Sequence, residues 1–224
     1  MSLMIRYCNP DAGDIAYLEL CNKLESGQLA DTTLIKDDAT TTLYLVNDAG
    51  GLLVFKRYNT KNIWHSLRRN FQTSRAANCL RMANLFSKAG LNVAEPMAVI
   101  ESTWGPFRGR SWYVCRYLDN ELLLDYLGRE QDEVVVEQAI AKVADIFSIL
   151  CDTAMSHGDM KATNILVNNG SLVLIDLDAA CKHDSGRLHS RAISRDRRRF
   201  LKNWRSSPEL QQRFSRKLDE LGIT

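Results

Sequence analysis

The chain has 224 residues and a formal net charge of +2, with 45% hydrophobic and 25% charged residues. This composition is ordinary for a globular protein, and the length is sufficient for one large domain or two closely packed lobes. The six cysteines are far apart and form neither a Cys-x-x-Cys pair nor a zinc-like spacing, which favours reduced thiols in a cytosolic protein over a secreted disulfide framework. Because no apolar stretch has the length of a signal peptide or a membrane span, we expect a soluble chain.

The first half of the sequence predicts a β-rich region with two helices. Apolar periodicity predicts a short helix over residues 14–26 and a long one over roughly residues 64–89, which ends at Gly90. Alternating apolar residues and turn-forming loops predict five strands, at residues 33–36, 42–46, 52–56, 97–100 and 111–117.

The second half predicts helices around one small hairpin. Helices are expected at residues 122–127 and 133–154, and two apolar strands at 165–167 and 172–175 flank an Asn-Gly turn. The longer helix carries a buried face at helical spacing, formed by Val136, Ile140, Val143, Phe147 and Leu150. We therefore predict an α+β chain with an N-terminal lobe over residues 1–117 and a C-terminal lobe over residues 118–224.

The chemically informative stretch is HGDMKATN at residues 157–164, followed by the hairpin and then by Asp176. Phosphoryl transfer needs a carboxylate that orients the acceptor hydroxyl and accepts its proton, a cation near the transferred group, and hard oxygen ligands for Mg²⁺. Asp159 suits the first role, Lys161 the second, and Asn164 and Asp176 the third. The alternative for each residue alone is structural, as part of a turn or as a cap at the end of a strand.

His-Gly-Asp-x-Lys-x-x-Asn resembles the catalytic loop of the protein-kinase superfamily, with Asp176 at the position of its second metal-binding aspartate. The run LLVFK at residues 52–56 resembles the strand whose lysine contacts the ATP phosphates, here Lys56. Together with FKRYN at 55–59 and AGLNVAEPMA at 89–98, these motifs look like the bacterial lipopolysaccharide core kinases. Those enzymes phosphorylate 3-deoxy-manno-octulosonic acid (Kdo) or heptose. The resemblance implies a two-lobed protein-kinase-like fold, ATP and Mg²⁺ as cofactors, and nucleotide contacts from Val54, Lys56, Cys115 and Tyr117.

The sequence departs from the kinase pattern at two places in its first half. Residues 36–42, where protein kinases have a glycine-rich loop over the phosphates, contain no glycine, so we expect backbone amides and threonine hydroxyls to serve instead. The helix over residues 66–88 contains no Asp or Glu to pair with Lys56. Its partner is then another carboxylate, Asp176 or Glu95, or the nucleotide alone. A catalytically silent pseudokinase that only binds ligands remains an alternative.

The C-terminal part of the sequence indicates which acceptors to expect. Ser207 and Pro208 are typical of the start of a final helix, and too few residues follow for the subdomain that binds peptides in protein kinases. Nine Lys or Arg residues lie between residues 182 and 205. These residues either form a solvated face or attract an anionic glycolipid or membrane surface. We expect a sugar acceptor and a cytoplasmic location with peripheral contact to the inner membrane, and no nucleic acid. Small-molecule or protein acceptors remain alternatives.

Overall fold

The structure is a computed structural model that describes residues 2–10, 14–28, 32–48, 51–59, 73–104, 107–129 and 132–223. The chain divides into two compact units. The sheet unit comprises Met1–Arg81 and Ala94–Leu118, and the helical unit comprises Met82–Val93 and Asp119–Thr224. The segment Met82–Val93, which the sequence-based division assigns to the N-terminal lobe, therefore belongs to the helical unit.

The sheet unit contains one six-stranded antiparallel sheet. Its strands are β1 (Ser2–Cys8), β2 (Thr32–Asp37), β3 (Thr41–Asp48), β4 (Gly51–Tyr58), β5 (Pro96–Trp104) and β6 (Phe107–Arg116). The spatial order is β1-β5-β6-β4-β3-β2. Strands β2 to β6 confirm the five predicted strands. Strand β1 was not predicted, because its partner β5 is distant in sequence and no local turn indicates that the two strands pair.

Because side chains alternate along the strands, the sheet has two faces, and different residues pack on each of them. Helix α1 (Asp14–Ser26) packs on one face, where Cys21 is buried with Phe55 and Trp112. The other face buries Tyr58 and Tyr113. Residues 64–72 of the long predicted helix lie outside the described residues, and the described helix α2 runs over Arg75–Lys88.

The helical unit is built on a long central helix. Its elements are α3 (Leu123–Arg129), α4 (Glu133–Asp152), α5 (Gly186–Lys202) and α6 (Pro208–Glu220), with short strands β7 (Glu121–Leu122), β8 (Met155–Ser156), β9 (Ile165–Asn168), β10 (Ser171–Leu174) and β11 (Cys181–Lys182). All five predicted core positions of α4 are buried. Phe200, Trp204 and Phe214 pack against one another between α5 and α6, with Phe200 edge-on to both other rings and Trp204 stacked on Phe214. These contacts bury one face of α5 and leave the other face exposed.

Two local sequence signals are confirmed in this unit. The turn between β9 and β10 uses Asn169 at φ 47° and Gly170 at φ 75°, the pair of positive angles that a type I′ hairpin requires. Helix α6 begins at Pro208, with Ser207 at its N-cap position. No helix among the described residues is long and apolar enough to cross a membrane.

Candidate active site

The loop over residues 157–164, here called the catalytic loop, lies between β8 and β9 in the helical unit. Gly158 has φ +80°, and a Cβ there would meet the Ala179 carbonyl oxygen at 2.1 Å. Only glycine allows the loop to lie this close to the turn Leu177–Ala179 that follows Asp176. This contact explains why glycine stands where protein kinases have arginine.

A buried carboxylate on α5 holds the catalytic loop by its backbone. Asp196 is fully buried, and its Oδ2 accepts hydrogen bonds from His157 N at 2.8 Å and Gly158 N at 2.9 Å. Its Oδ1 lies 3.4 Å from Met160 N. Asn203, two turns further on, accepts a hydrogen bond from Ala162 N at 3.0 Å. The backbone of the loop is thus fixed by side chains that come from a helix much later in the sequence.

Asp159 is partly buried and its carboxylate lies between two cations. Lys161 Nζ is 2.8 Å from Oδ2, and Arg199 Nη1 is 2.5 Å from Oδ1. Burial raises the pKa of this carboxyl, but the hydrogen bonds and charges of Lys161 and Arg199 outweigh it and hold the pKa below its ordinary value. Asp159 is therefore an ionised hydrogen-bond acceptor at neutral pH.

The β9–β10 hairpin brings the backbones of Asn164 and Ile175 together. Ile175 N donates to Asn164 O at 3.0 Å, which places Asp176 immediately beside the end of the catalytic loop. Asn164 Nδ2 donates to the carbonyl oxygen of Asp159 at 2.9 Å and lies 3.4 Å from its Oδ2. Because the amide nitrogen faces Asp159, the Asn164 Oδ1 is the atom left to bind a cation. Asp176 is exposed and has left-handed backbone angles, φ 61° and ψ 58°.

The side chain of His157 contacts the residue before Asp176. Its fully buried ring donates from Nε2 to the Ile175 carbonyl oxygen at 3.0 Å. Burial lowers the pKa of His157, although the Asp196 carboxylate acts in the opposite direction. The ring is therefore neutral at physiological pH. Its Nδ1 has no hydrogen-bond partner among the described residues.

The nucleotide contacts predicted for the sheet unit share one region of its sheet. Val54 is the cross-strand partner of Cys115, and Lys56 is the partner of Tyr113. Lys56 Nζ lies 5.3 Å from the centre of the Tyr58 ring. Tyr117 follows β6, and its N–H donates to Leu52 O at 2.9 Å. The backbone thus brings Val54, Lys56 and Cys115 to adjoining positions of β4 and β6, with Tyr117 directly after β6.

Glu95, one of the two carboxylates considered for Lys56, is engaged elsewhere in the sheet unit. Its Oε1 accepts a hydrogen bond from Asn9 Nδ2 at 2.9 Å, and its Oε2 lies 2.8 Å from Arg116 Nε. Both oxygens therefore have partners other than Lys56.

The glycine-free turn between β2 and β3 is closed by its own aspartate. Asp38 Oδ1 accepts hydrogen bonds from Thr40 N at 2.7 Å, Thr40 Oγ1 at 2.6 Å and Thr41 N at 2.8 Å. Thr40 and Lys36 hold the pKa of the Asp38 carboxyl well below its ordinary value. The backbone amides of Thr40 and Thr41 are thus already used. This differs from the expectation that amides of this loop are open to phosphate.

A sheet-containing unit and a helical unit that carries the catalytic-loop constellation define a kinase-like phosphotransferase. A sequence profile of the lipopolysaccharide kinase (Kdo/WaaP) family matches residues 37–217. The chain belongs to this family, which places it among the ATP-dependent phosphotransferases. A solved structure, described as WaaP in complex with acyl carrier protein, aligns with 99% of both chains at a TM-score of 0.57 and 16% identity. This likeness confirms the predicted fold class.

A second relative matches a shorter stretch of the chain. The probable serine/threonine-protein kinase YbdM of Bacillus subtilis (strain 168) is 32% identical over 75 residues. The match covers 32% of this chain and 29% of that relative. The chain therefore matches less than a third of the length of this curated kinase.

Three residues that contact the catalytic loop were not identified from the sequence. They are Asp196 and Arg199 on α5 and Asn203 at its C-terminal end. They lie three and four positions apart, so one side of the helix carries all of them. Asp196 is the single acid between Asp184 and Glu209 in a basic segment. That isolated acid is the one local signal that could have indicated a buried partner.

Proposed function

We propose that this chain transfers the γ-phosphoryl group of ATP to a sugar hydroxyl of the lipopolysaccharide inner core, on Kdo or heptose. The observation that carries the proposal is a hydrogen-bonded network in the helical unit. It joins Asp159, Asn164 and the residue before Asp176, in a chain whose family is named for lipopolysaccharide kinases.

In this proposal Asp159 orients the acceptor hydroxyl. The acceptor oxygen forms a bond to the γ-phosphorus while the bond to the bridging oxygen of ADP breaks, and the hydroxyl proton passes to Asp159. Lys161, held 2.8 Å from that carboxylate, screens the charge of the transferred group. Positioning and charge stabilisation supply most of the catalysis in such reactions.

Asn164 and Asp176 fit a magnesium site. An amide oxygen and an exposed carboxylate are hard ligands, and Mg²⁺ in kinases commonly takes few protein ligands and completes its shell with phosphates and water. The ion would neutralise negative charge on the nucleotide phosphates. In the sheet unit, Lys56 would contact the phosphates, and Val54, Cys115 and Tyr117 would contact the rest of the nucleotide.

The exposed side of α5 supports an anionic acceptor at a membrane surface. We define its basic face by five exposed residues at spacings of three and four: Arg187, Arg191, Arg195, Arg198 and Lys202. A basic residue near anionic lipid contributes roughly 1 kcal/mol to binding. We therefore propose peripheral attachment to the cytoplasmic side of the inner membrane. Sedimentation with anionic vesicles, compared with neutral vesicles, tests this attachment.

The test of the activity is phosphate transfer from ATP and Mg²⁺ to purified inner-core glycolipid, read by the mass of the product. Asp159→Asn and Asp176→Asn should each lower the rate at least about 100-fold, because each removes a group that acts in the transition state. Asp176→Asn should also weaken the binding of Mg²⁺–ATP, whereas Asp159→Asn should leave it nearly unchanged. Wild-type turnover in both variants contradicts the assignment.

The partial match to a probable serine/threonine kinase favours protein phosphorylation as the second candidate. A panel of protein acceptors beside the glycolipid separates the two. A protein that is stabilised by Mg²⁺–ATP in thermal unfolding, yet phosphorylates nothing in either set, would instead be a binding module. Ligand at 100 times its Kd adds about 2.7 kcal/mol of stability, which such a measurement resolves.

A further inference from the structure

Arg199 is the α5 residue that touches the reacting end of the catalytic loop. Its Nη1 donates to the Gly158 carbonyl oxygen at 3.0 Å and to Asp159 Oδ1 at 2.5 Å. Its side chain is 50% exposed, in contrast to the fully buried Asp196 on the same helix. Arg199 is therefore accessible to a molecule whose hydroxyl approaches Asp159.

The contacts of Arg199 leave most of its guanidinium available. The group has five N–H donors, and both contacts with the loop use Nη1. Within the described part of the chain, Nε and Nη2 form no hydrogen bond. These two nitrogens are the edge that binds a carboxylate or a phosphate through two parallel hydrogen bonds.

The backbone of the loop is bonded to Asp196 and Asn203 as well as to Arg199, which donates to the Gly158 carbonyl oxygen. Arg199 differs from the other two because it also adds a cation to the carboxylate that must accept a proton. A positive charge at that position makes Asp159 a weaker base. This cost would be offset if the same guanidinium also bound the acceptor.

The charge around Arg199 is continuous with the basic face of α5. Arg195 lies one turn before it and Lys202 one turn after it, and both are exposed. An anion that approaches along this side of the helix meets Arg199 as the last cation before Asp159.

We propose that Arg199 binds an anionic group of the acceptor, a carboxylate or a phosphate, and so places the neighbouring hydroxyl at Asp159. The inference rests on the proposed function and adds a substrate requirement to it. Because one guanidinium contacts both the carboxylate of Asp159 and the anion, the anionic group lies on the reacting sugar or on the sugar next to it. A sugar acid and a phosphorylated sugar both meet this requirement.

The test compares acceptors that differ only in their charge. One pair is a Kdo-containing glycolipid and its carboxyl methyl ester, and the other is a phosphorylated core glycolipid before and after treatment with phosphatase. The enzymes are wild type, Arg199→Gln, Arg199→Lys and the control Arg216→Gln, which removes an exposed arginine from α6. The readouts are the KM and kcat for acceptor and the KM for ATP.

We expect Arg199→Gln to raise the KM of the anionic acceptor about tenfold or more, as the loss of a charge-assisted hydrogen-bond pair implies. The KM for ATP should not change, and Arg199→Lys should restore part of the loss. In one of the two acceptor pairs, removal of the anionic group should abolish this difference, so that wild type and Arg199→Gln have similar KM values for the neutral acceptor. The pair that shows this pattern identifies the anion as carboxylate or phosphate.

The proposal is overturned if Arg199→Gln raises the KM of charged and neutral acceptors equally, or lowers kcat alone. Such a result would mean that the arginine only positions the loop. If wild type transfers no phosphate to glycolipid, the proposed function fails, and binding of free Kdo, its methyl ester and a sugar phosphate, observed by NMR, decides the inference separately. Binding of an anionic sugar that Arg199→Gln loses would support it, and indifference to charge would refute it.

Discussion

Two loops of this chain are held by an aspartate that accepts backbone N–H groups, but the aspartates come from different places. In the β2–β3 turn, Asp38 binds the amides of residues two and three positions later, and its side chain is 39% exposed. In the catalytic loop, the bonds come from Asp196, which is fully buried and lies on α5. The same hydrogen bonds therefore close a local turn in one case and join distant segments in the other.

The difference predicts unequal consequences for stability. Water can reach the partners of a partly exposed carboxylate, whereas N–H groups that lose a buried acceptor stay unsatisfied. The catalytic loop should accordingly depend on its aspartate much more than the β2–β3 turn depends on Asp38. Substitutions in the two loops, each with a control or comparison variant, test this contrast and the packing of the catalytic loop.

The largest effect is expected for Asp196→Ala. It removes the acceptor of His157 N and Gly158 N from a buried site, so the free energy of unfolding should fall by about 3 kcal/mol or more. Hydrogen exchange of the catalytic-loop amides should rise in the same variant. Asp184→Ala, which removes an exposed acid near the start of α5, is the control. Equal stability of the two variants would contradict the role given to Asp196.

Gly158→Ala should have the next largest effect. The new Cβ would lie 2.1 Å from the Ala179 carbonyl oxygen, and the residue would keep an unfavourable positive φ. We expect a loss of about 2 kcal/mol of stability and at least about a 100-fold slower phosphate transfer, because Asp159 and the turn after Asp176 must separate.

The matched control for Gly158 is Gly170→Ala in the hairpin turn. Gly170 has φ +75°, but a Cβ there meets only the flexible end of Lys142 at 3.8 Å. Its cost should be the backbone term alone, about 1 kcal/mol, with little change in the transfer rate. Similar losses in the two variants would show that steric contact with Ala179 is unimportant.

A pH dependence is expected from His157, whose ring is faced by Asp196, Asp176 and Asp159. Burial lowers its pKa in the folded state, so below about pH 6.5 the unfolded chain binds more protons than the folded chain. Stability should therefore fall as the pH drops below this value, by at most about 1.4 kcal/mol per pH unit from this group.

His157→Gln should reduce the slope of unfolding free energy against pH between pH 6.5 and 5. Burial and the neighbouring His189 and Arg195 also lower the pKa of His183, which contributes with the same sign, so His183→Gln serves as the comparison. An unchanged slope in His157→Gln would mean that the ring is protonated in the fold.

The smallest effect is expected for Asp38→Ala. Its side chain is 39% exposed, so water can replace it more readily than it replaces the buried Asp196, and the melting temperature should change less than in Asp196→Ala. Asp38→Asn keeps an acceptor oxygen and should lie closer to wild type. If Asp38→Ala were as damaging as Asp196→Ala, the contrast between the two loops would be wrong.

Local patterns predicted a large part of this fold. Alternation and turn residues were sufficient for strands β2 to β6 and for the β9–β10 hairpin, and apolar spacing was sufficient for the buried face of α4. Strand β1 was missed because its partner β5 is far away in sequence. The same limitation applies to the short strands β8 and β11, which pair with each other across the whole catalytic region.

The sequence by itself determined the chemical composition of the candidate site: Asp159, Lys161, Asn164 and Asp176 lie close together in the chain, and their order matches a known catalytic loop. Only the tertiary structure decided what holds that loop, because a helix brings Asp196, Arg199 and Asn203 to it from 36 to 41 residues away. It also showed why residue 158 is glycine: the Ala179 carbonyl oxygen leaves no room for a Cβ at this position. Short-range patterns record spacing along one element, whereas contacts between elements depend on packing that no local pattern encodes.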